Sequence, residues 1–83
     1  MSKRSEFEIT ADILRLAQSG AKKSHLVYKA NLNFKVIARY LDQLEESSLI
    51  SCSPKDKIFR TTEKGMKYLD HFEGLQEFVK TMN

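Results

Sequence analysis

The tightest constraint on this chain is a three-residue break, Asn31-Leu32-Asn33, between two short stretches of helical apolar spacing. Before the break, Lys22 to Ala30 puts Leu26, Val27 and Ala30 on one inner face. After it, Phe34 to about Ser47 puts Ile37, Tyr40, Leu41 and Leu44 on one stripe. Asn33 suits the start of this second helix, because its side-chain oxygen accepts from the free N–H groups of the first turn. Leu32 and Ile37 have the spacing of a hydrophobic staple across that start.

The flanking segments complete the pattern. Ser5 and Glu8 make a capping-box pair, followed by Ile9, Ile13, Leu14 and Ala17 on one face and by Gly20 as a stop, which predicts a helix from Glu6 to Ser19. Leu49 to Ser53 reads as a strand, Pro54-Lys55-Asp56 as a turn, and Lys57 to Thr61 as the returning strand. Ile58 and Arg60 then lie on one face of that strand and Phe59 on the other. Thr62 caps a last helix that opens Glu63-Lys64-Gly65. The expected fold is mostly α with a small β-hairpin, in the order α-α-α-β-β-α: a winged helix-turn-helix with a C-terminal helix.

That last helix carries a second pattern. Tyr68, Phe72, Leu75, Val79 and Met82 are spaced four, three, four, three, an a/d seam over about two heptads. Met66 and Leu69 lie off the seam and are expected to pack on the domain core. Gly74 weakens the helix by about 1 kcal/mol relative to alanine. A seam on a terminal helix is either core or an interface. Here the preceding elements already form a unit and the distal end would overhang it, so the seam is expected to bury against a second copy. The division that follows is a winged-helix domain over 1–67 and a dimerisation element over 68–83.

With 83 residues the chain has room for one domain of modest stability, which dimerisation would raise. Cys52 is the only cysteine, so there is no intrachain disulfide and no metal knuckle, and His25 and His71 are not placed to complete one. An intermolecular disulfide through Cys52 stays open. No apolar run reaches the length of a membrane span, and the N-terminus does not read as a signal peptide. A cytoplasmic protein is expected, without cofactor, metal or legible small-molecule pocket. No phosphate-binding loop or plausible carboxylate pair suggests an enzyme.

The net charge of +3 is modest, but its distribution is not even. Residues 13–41 contain no Asp or Glu, where an even spread of the 11 acids would put about four. The same stretch holds Arg15, Lys22, Lys23, Lys29, Lys35 and Arg39. Such a surface suits phosphates, since each one neutralised releases counterions.

The string Tyr28-Lys29-Ala30-Asn31-Leu32-Asn33-Phe34 resembles the archaeal winged helix-turn-helix regulators, a family that includes small chromatin-associated DNA-binding proteins. Tyr40-Leu41-Asp42, Leu49-Ile50 and Thr62-Glu63-Lys64-Gly65 are similar to it as well. Ser47-Ser48 stands where the family usually carries a glycine. The resemblance implies double-stranded DNA binding, a homodimer through the last helix and no cofactor.

On this reading, helix 34–47 enters the major groove and the wing, 53–60, lies on the flanking backbone. Arg39 is the first candidate for a base edge, because its fork pairs with the two acceptors of guanine. Lys35 reaches a base or a phosphate, and Ala38 lies on the same face. Asn33 caps the helix and can also meet a phosphate there. Phe34 either touches a thymine methyl or sugar or covers the preceding helix beside Tyr28. Asp42 faces solvent, pairs with a cation, or accepts from a cytosine amino group. Lys22, Lys23 and Lys29 position the domain on phosphates, and Lys55, Lys57 and Arg60 supply the wing contacts. The role of Lys3 and Arg4 is left open. The competing reading is a protein-interaction module whose basic face binds an acidic partner without specific DNA affinity.

Overall fold

The computed structural model describes residues 4–82, without the side chain of Met82. Its elements are α1 (Glu6–Leu16), α2 (Lys23–Ala30), α3 (Phe34–Glu46), β1 (Ile50–Cys52), β2 (Phe59–Thr61) and α4 (Glu63–Met82). This is the expected order, a winged helix-turn-helix with a C-terminal helix.

Local chemistry explains most of the starts. Ser5 and Glu8 form the full capping box on α1. Asn33 Oδ1 accepts from Val36 N–H at 2.8 Å and opens α3. Thr62 Oγ1 accepts from Gly65 N–H at 3.0 Å and opens α4. Only α2 lacks a side-chain cap: Lys22 occupies the cap position and has no oxygen to offer.

The ends need the left-handed conformation. Asn31 takes it at φ 58°, which asparagine tolerates, and closes α2. Ser48 takes it at φ 61° where glycine was missed from the sequence. Around it Ser48 N–H donates to Glu45 O at 3.0 Å and Leu49 N–H to Leu44 O at 2.9 Å. Those two bonds are the Schellman pattern, so the serine adopts a glycine-like turn instead of changing it.

Two boundaries differ from expectation. α1 ends at Leu16, with Ala17 as its cap. The Ala17 carbonyl is taken by Thr61 N–H at 3.1 Å, so β2 claims the end of the helix. Gly20, at φ 94°, shapes the turn that follows and does not stop the helix. The strands are also shorter. Leu49 belongs to the turn after α3, and Lys57 at φ 57° breaks the ladder before Phe59.

β1 and β2 pair antiparallel, with Ile50 opposite Thr61 and Cys52 opposite Phe59. Ala21 adds a short third rung by exchanging two backbone bonds with Phe59 at 2.8 and 2.9 Å. This rung ties the start of α2 to the wing. The core joins Ala11, Ile13, Leu14 and Ala17 of α1 and its cap to Leu26, Ile37, Leu41, Ile50 and Leu69 from the other elements. Gly65 is buried where α4 crosses the hairpin; a Cβ there would lie 2.6 Å from Thr61 Cγ2 and press on the Leu49 carbonyl.

Leu69 is buried as expected, but Met66 is not. It is 40% exposed, because buried Gly65 takes the close approach and turns the next residue outward. Gln18 Nε2 meets its sulfur at 3.4 Å.

Candidate nucleic-acid interface

The turn between α2 and α3 is held from behind. Arg4 donates to the Ala30 carbonyl at 2.6 Å and to Asp12 at 2.8 Å, fixing the C-terminus of α2 to α1. This gives Arg4 a structural task that the sequence did not disclose. Lys3 lies outside the described residues.

With that support, α3 buries Ile37, Leu41 and Leu44 and presents the opposite face. Lys35, Arg39 and Asp42 are exposed, and Ala38 and Tyr40 are half-buried. Asn33 is committed to its capping bond through Oδ1. Phe34 is 57% exposed, and Tyr28 still more so, which leaves Phe34 open at the tip of the helix. On α2, Lys22, Lys23 and Lys29 are exposed, as are Lys55, Lys57 and Arg60 in the wing.

Among the described residues none of these cations forms an ion pair with an acid. Among the described residues the ion pairs are Arg4–Asp12, Arg15–Asp12 and Arg15–Glu73. Arg15 therefore leaves the basic set and joins α1 to α4. The remaining cations of α2, α3 and the wing stay open to an anionic partner.

The Ala21–Phe59 rung has a consequence for charge. It brings the start of α2 against the hairpin, where Lys22, Lys23, Ser24, Pro54, Asp56 and Lys57 line an open trough with Cys52 and Phe59. Lys22 and Lys23 thus share one trough with Lys57, three cations beside the single carboxylate of Asp56. Arg60 does not enter it; its guanidinium lies over the Gly20 turn, 3.5 Å from where a Cβ of that residue would stand. Cys52 is half-buried and unpaired.

Asp56 sits within the wing and tempers its charge. The Ile58 N–H, donating to its carboxylate at 3.0 Å, holds the carboxyl below the ordinary aspartate range, aided by the Ser53 hydroxyl and Arg60. Asp56 is therefore ionised at neutral pH and shapes the tip as an acceptor for its own backbone.

The seam of α4 divides. Tyr68 and Phe72 are half-buried against the chain's own core, with rings stacked 6.4 Å apart. Tyr68 donates to the Phe7 carbonyl at 3.3 Å, and desolvation raises its pKa above the ordinary tyrosine value. Leu75 and Val79 are 67% and 53% exposed. Phe78, which the heptad spacing passes over, is 61% exposed between them. The Met82 side chain lies outside the described residues.

Among the described residues no cluster of His, Cys, Asp and Glu could hold a metal, and no helix is long and apolar enough to cross a membrane.

Comparison with known proteins places these features. The profile of a family described as winged helix-turn-helix matches residues 3–80. An uncharacterized protein of Methanocaldococcus jannaschii is 34% identical over 82 residues, covering 98% of this chain and 79% of that protein. The crystal structure of Sso10a-2, a DNA-binding protein from Sulfolobus solfataricus, superposes with a TM-score of 0.83 at 28% identity, over 95% of this chain and 85% of that one. A MepR variant from S. aureus shares the fold with a TM-score of 0.71 at 16% identity, over 100% and 72% of the two chains.

Proposed function

Because the chain belongs to the winged helix-turn-helix family, of the archaeal regulator kind that the string over residues 28–34 resembles, we propose that it binds double-stranded DNA and acts in transcription or chromatin organisation. The observation that carries this reading is the set of exposed cations on α2, α3 and the wing, none of them in an ion pair with an acid among the described residues. In this reading α3 lies in the major groove, with Arg39 and Lys35 toward base edges and phosphates. Lys22, Lys23 and Lys57, gathered at the trough, take the flanking backbone, with Lys29, Lys55 and Arg60 around them. Sso10a-2, described as a DNA-binding protein, has this fold at high similarity and supports the assignment.

The distal part of α4 serves as the homodimer interface, through Leu75, Phe78 and Val79 with Phe72 at its edge. Two copies related by a two-fold axis would present two α3 helices to two half-sites. A cytoplasmic setting agrees with this role.

The test is a titration of the full chain against a random-sequence duplex at several salt concentrations. Phosphate contacts give a log–log slope of roughly −0.9 per phosphate neutralised. Arg39→Ala should then weaken a preferred sequence by about 1–3 kcal/mol, whereas Lys23→Ala should weaken all sequences alike. Absence of binding at low salt would sink the proposal and leave the basic face to an acidic protein partner.

A further inference from the structure

The chemistry at the tip of α3 says which bases suit it. Resting on the DNA reading above, we infer that Phe34, with Ala38 one turn on, contacts a thymine methyl beside the base that faces Arg39. In the first two turns of α3 the exposed side chains are Phe34, Lys35 and Arg39. Lysine and arginine only donate hydrogen bonds. The acceptor of the preceding residue, Asn33 Oδ1, is held toward the helix by the Val36 N–H at 2.8 Å. The tip thus offers donors and apolar surface, and no exposed acceptor before Asp42.

In the major groove, cytosine presents an amino donor and adenine an amino donor beside its N7 acceptor, so full pairing with either base needs an acceptor from the protein. Guanine presents two acceptors, and thymine presents one acceptor and a methyl group. The tip therefore matches the two keto bases. Phe34 and Ala38 form an apolar row beside the cationic row of Lys35 and Arg39, since residues four apart share a helix face. Phe34 is more than half exposed and is not among the residues packed on the core, so its ring is available to cover a methyl group. Arg39 and Lys35 supply the donors for the adjoining acceptors.

Replacing thymine by deoxyuridine removes only that methyl and leaves the protein untouched. Duplexes retained by the full chain from a random pool would be made in both forms and titrated at one salt concentration by fluorescence anisotropy. The chain should bind the uracil form about fourfold more weakly at the position Phe34 covers, the expected loss for one buried methyl group. Phe34→Ala should bind both forms equally, near the level of the unmodified chain on uracil DNA. Phe34→Leu should keep part of the difference. Equal binding of both forms by the unmodified chain, or a difference that persists in Phe34→Ala, overturns the inference while DNA binding stands. Failure to bind either form overturns the DNA reading and this inference with it.

Discussion

The two halves of α4 form one uninterrupted helix in opposite surroundings. In the proximal half Gly65 and Leu69 are buried, and Tyr68 and Phe72 lean on the core. In the distal half Leu75, Phe78 and Val79 stand largely in solvent, and a Cβ added at Gly74 would meet nothing within 4 Å. The same apolar spacing runs through both. Periodicity thus reports which residues share a face; what covers that face is decided by the rest of the fold.

Two leucines, one in each half, should respond most differently to truncation. Leu69→Ala should cost about 2–5 kcal/mol, because it empties a site enclosed by the core. Leu75→Ala should change the stability of the dilute, monomeric chain by no more than about 0.5 kcal/mol, as expected of an exposed position. Denaturant melts at low protein concentration would measure both. Equal losses would mean that the distal half is also packed within the single chain.

This division also marks what the sequence could disclose. The starts of α1, α3 and α4 were legible because Ser5, Asn33 and Thr62 act on N–H groups within three residues of themselves. The exposed cations of α3 were legible because the acid-free stretch runs through α2 and the first two turns of α3, where Lys35 and Arg39 lie. The Arg15–Glu73 pair was not, since Glu73 comes from the far end of the chain and meets Arg15 only when α4 crosses α1. Nor was the union of Lys22, Lys23 and Lys57, which depends on the Ala21–Phe59 rung. Phe78 escaped notice because a heptad seam selects Leu75, Val79 and Met82, whereas the exposed face of a straight helix also includes the residue three after Leu75.

A charge placed on the distal face separates the proposed interface from the core. Val79→Asp should reduce the mass in solution from dimer to monomer, as read by sedimentation or light scattering, while the monomer keeps its helical spectrum. A mass unchanged by the substitution would remove the interface from α4. Phe72→Asp is a poorer probe, because Phe72 also packs on its own domain.

Gly74→Ala tests whether anything lies against the distal half. The open space around it predicts a gain of about 1 kcal/mol from helix propensity alone. A thermal melt at low concentration should show that gain. If the gain reverses as concentration rises, a second chain must approach closely at this position, and the interface extends around the helix to meet it.

The smallest effect lies where the proximal half is moored. Thr62 donates its hydroxyl to the Ser48 carbonyl at 2.6 Å and its N–H to the Leu49 carbonyl at 3.1 Å, so α4 begins on the turn that ends α3. Ser48 holds that turn at φ 61°, a conformation that costs a side-chain-bearing residue roughly 1–2 kcal/mol. Ser48→Gly removes this strain but gives the unfolded chain more freedom, an opposing effect of about 0.5–1 kcal/mol. The difference is a net gain below about 1.5 kcal/mol and centred at about 0.75 kcal/mol, read as a shift of the denaturant midpoint at constant slope. Because the relief is confined to the mooring of the proximal half, the mass in solution should not change. A loss of stability would mean that the serine side chain, exposed and free of side-chain hydrogen bonds among the described residues, supports the turn after all.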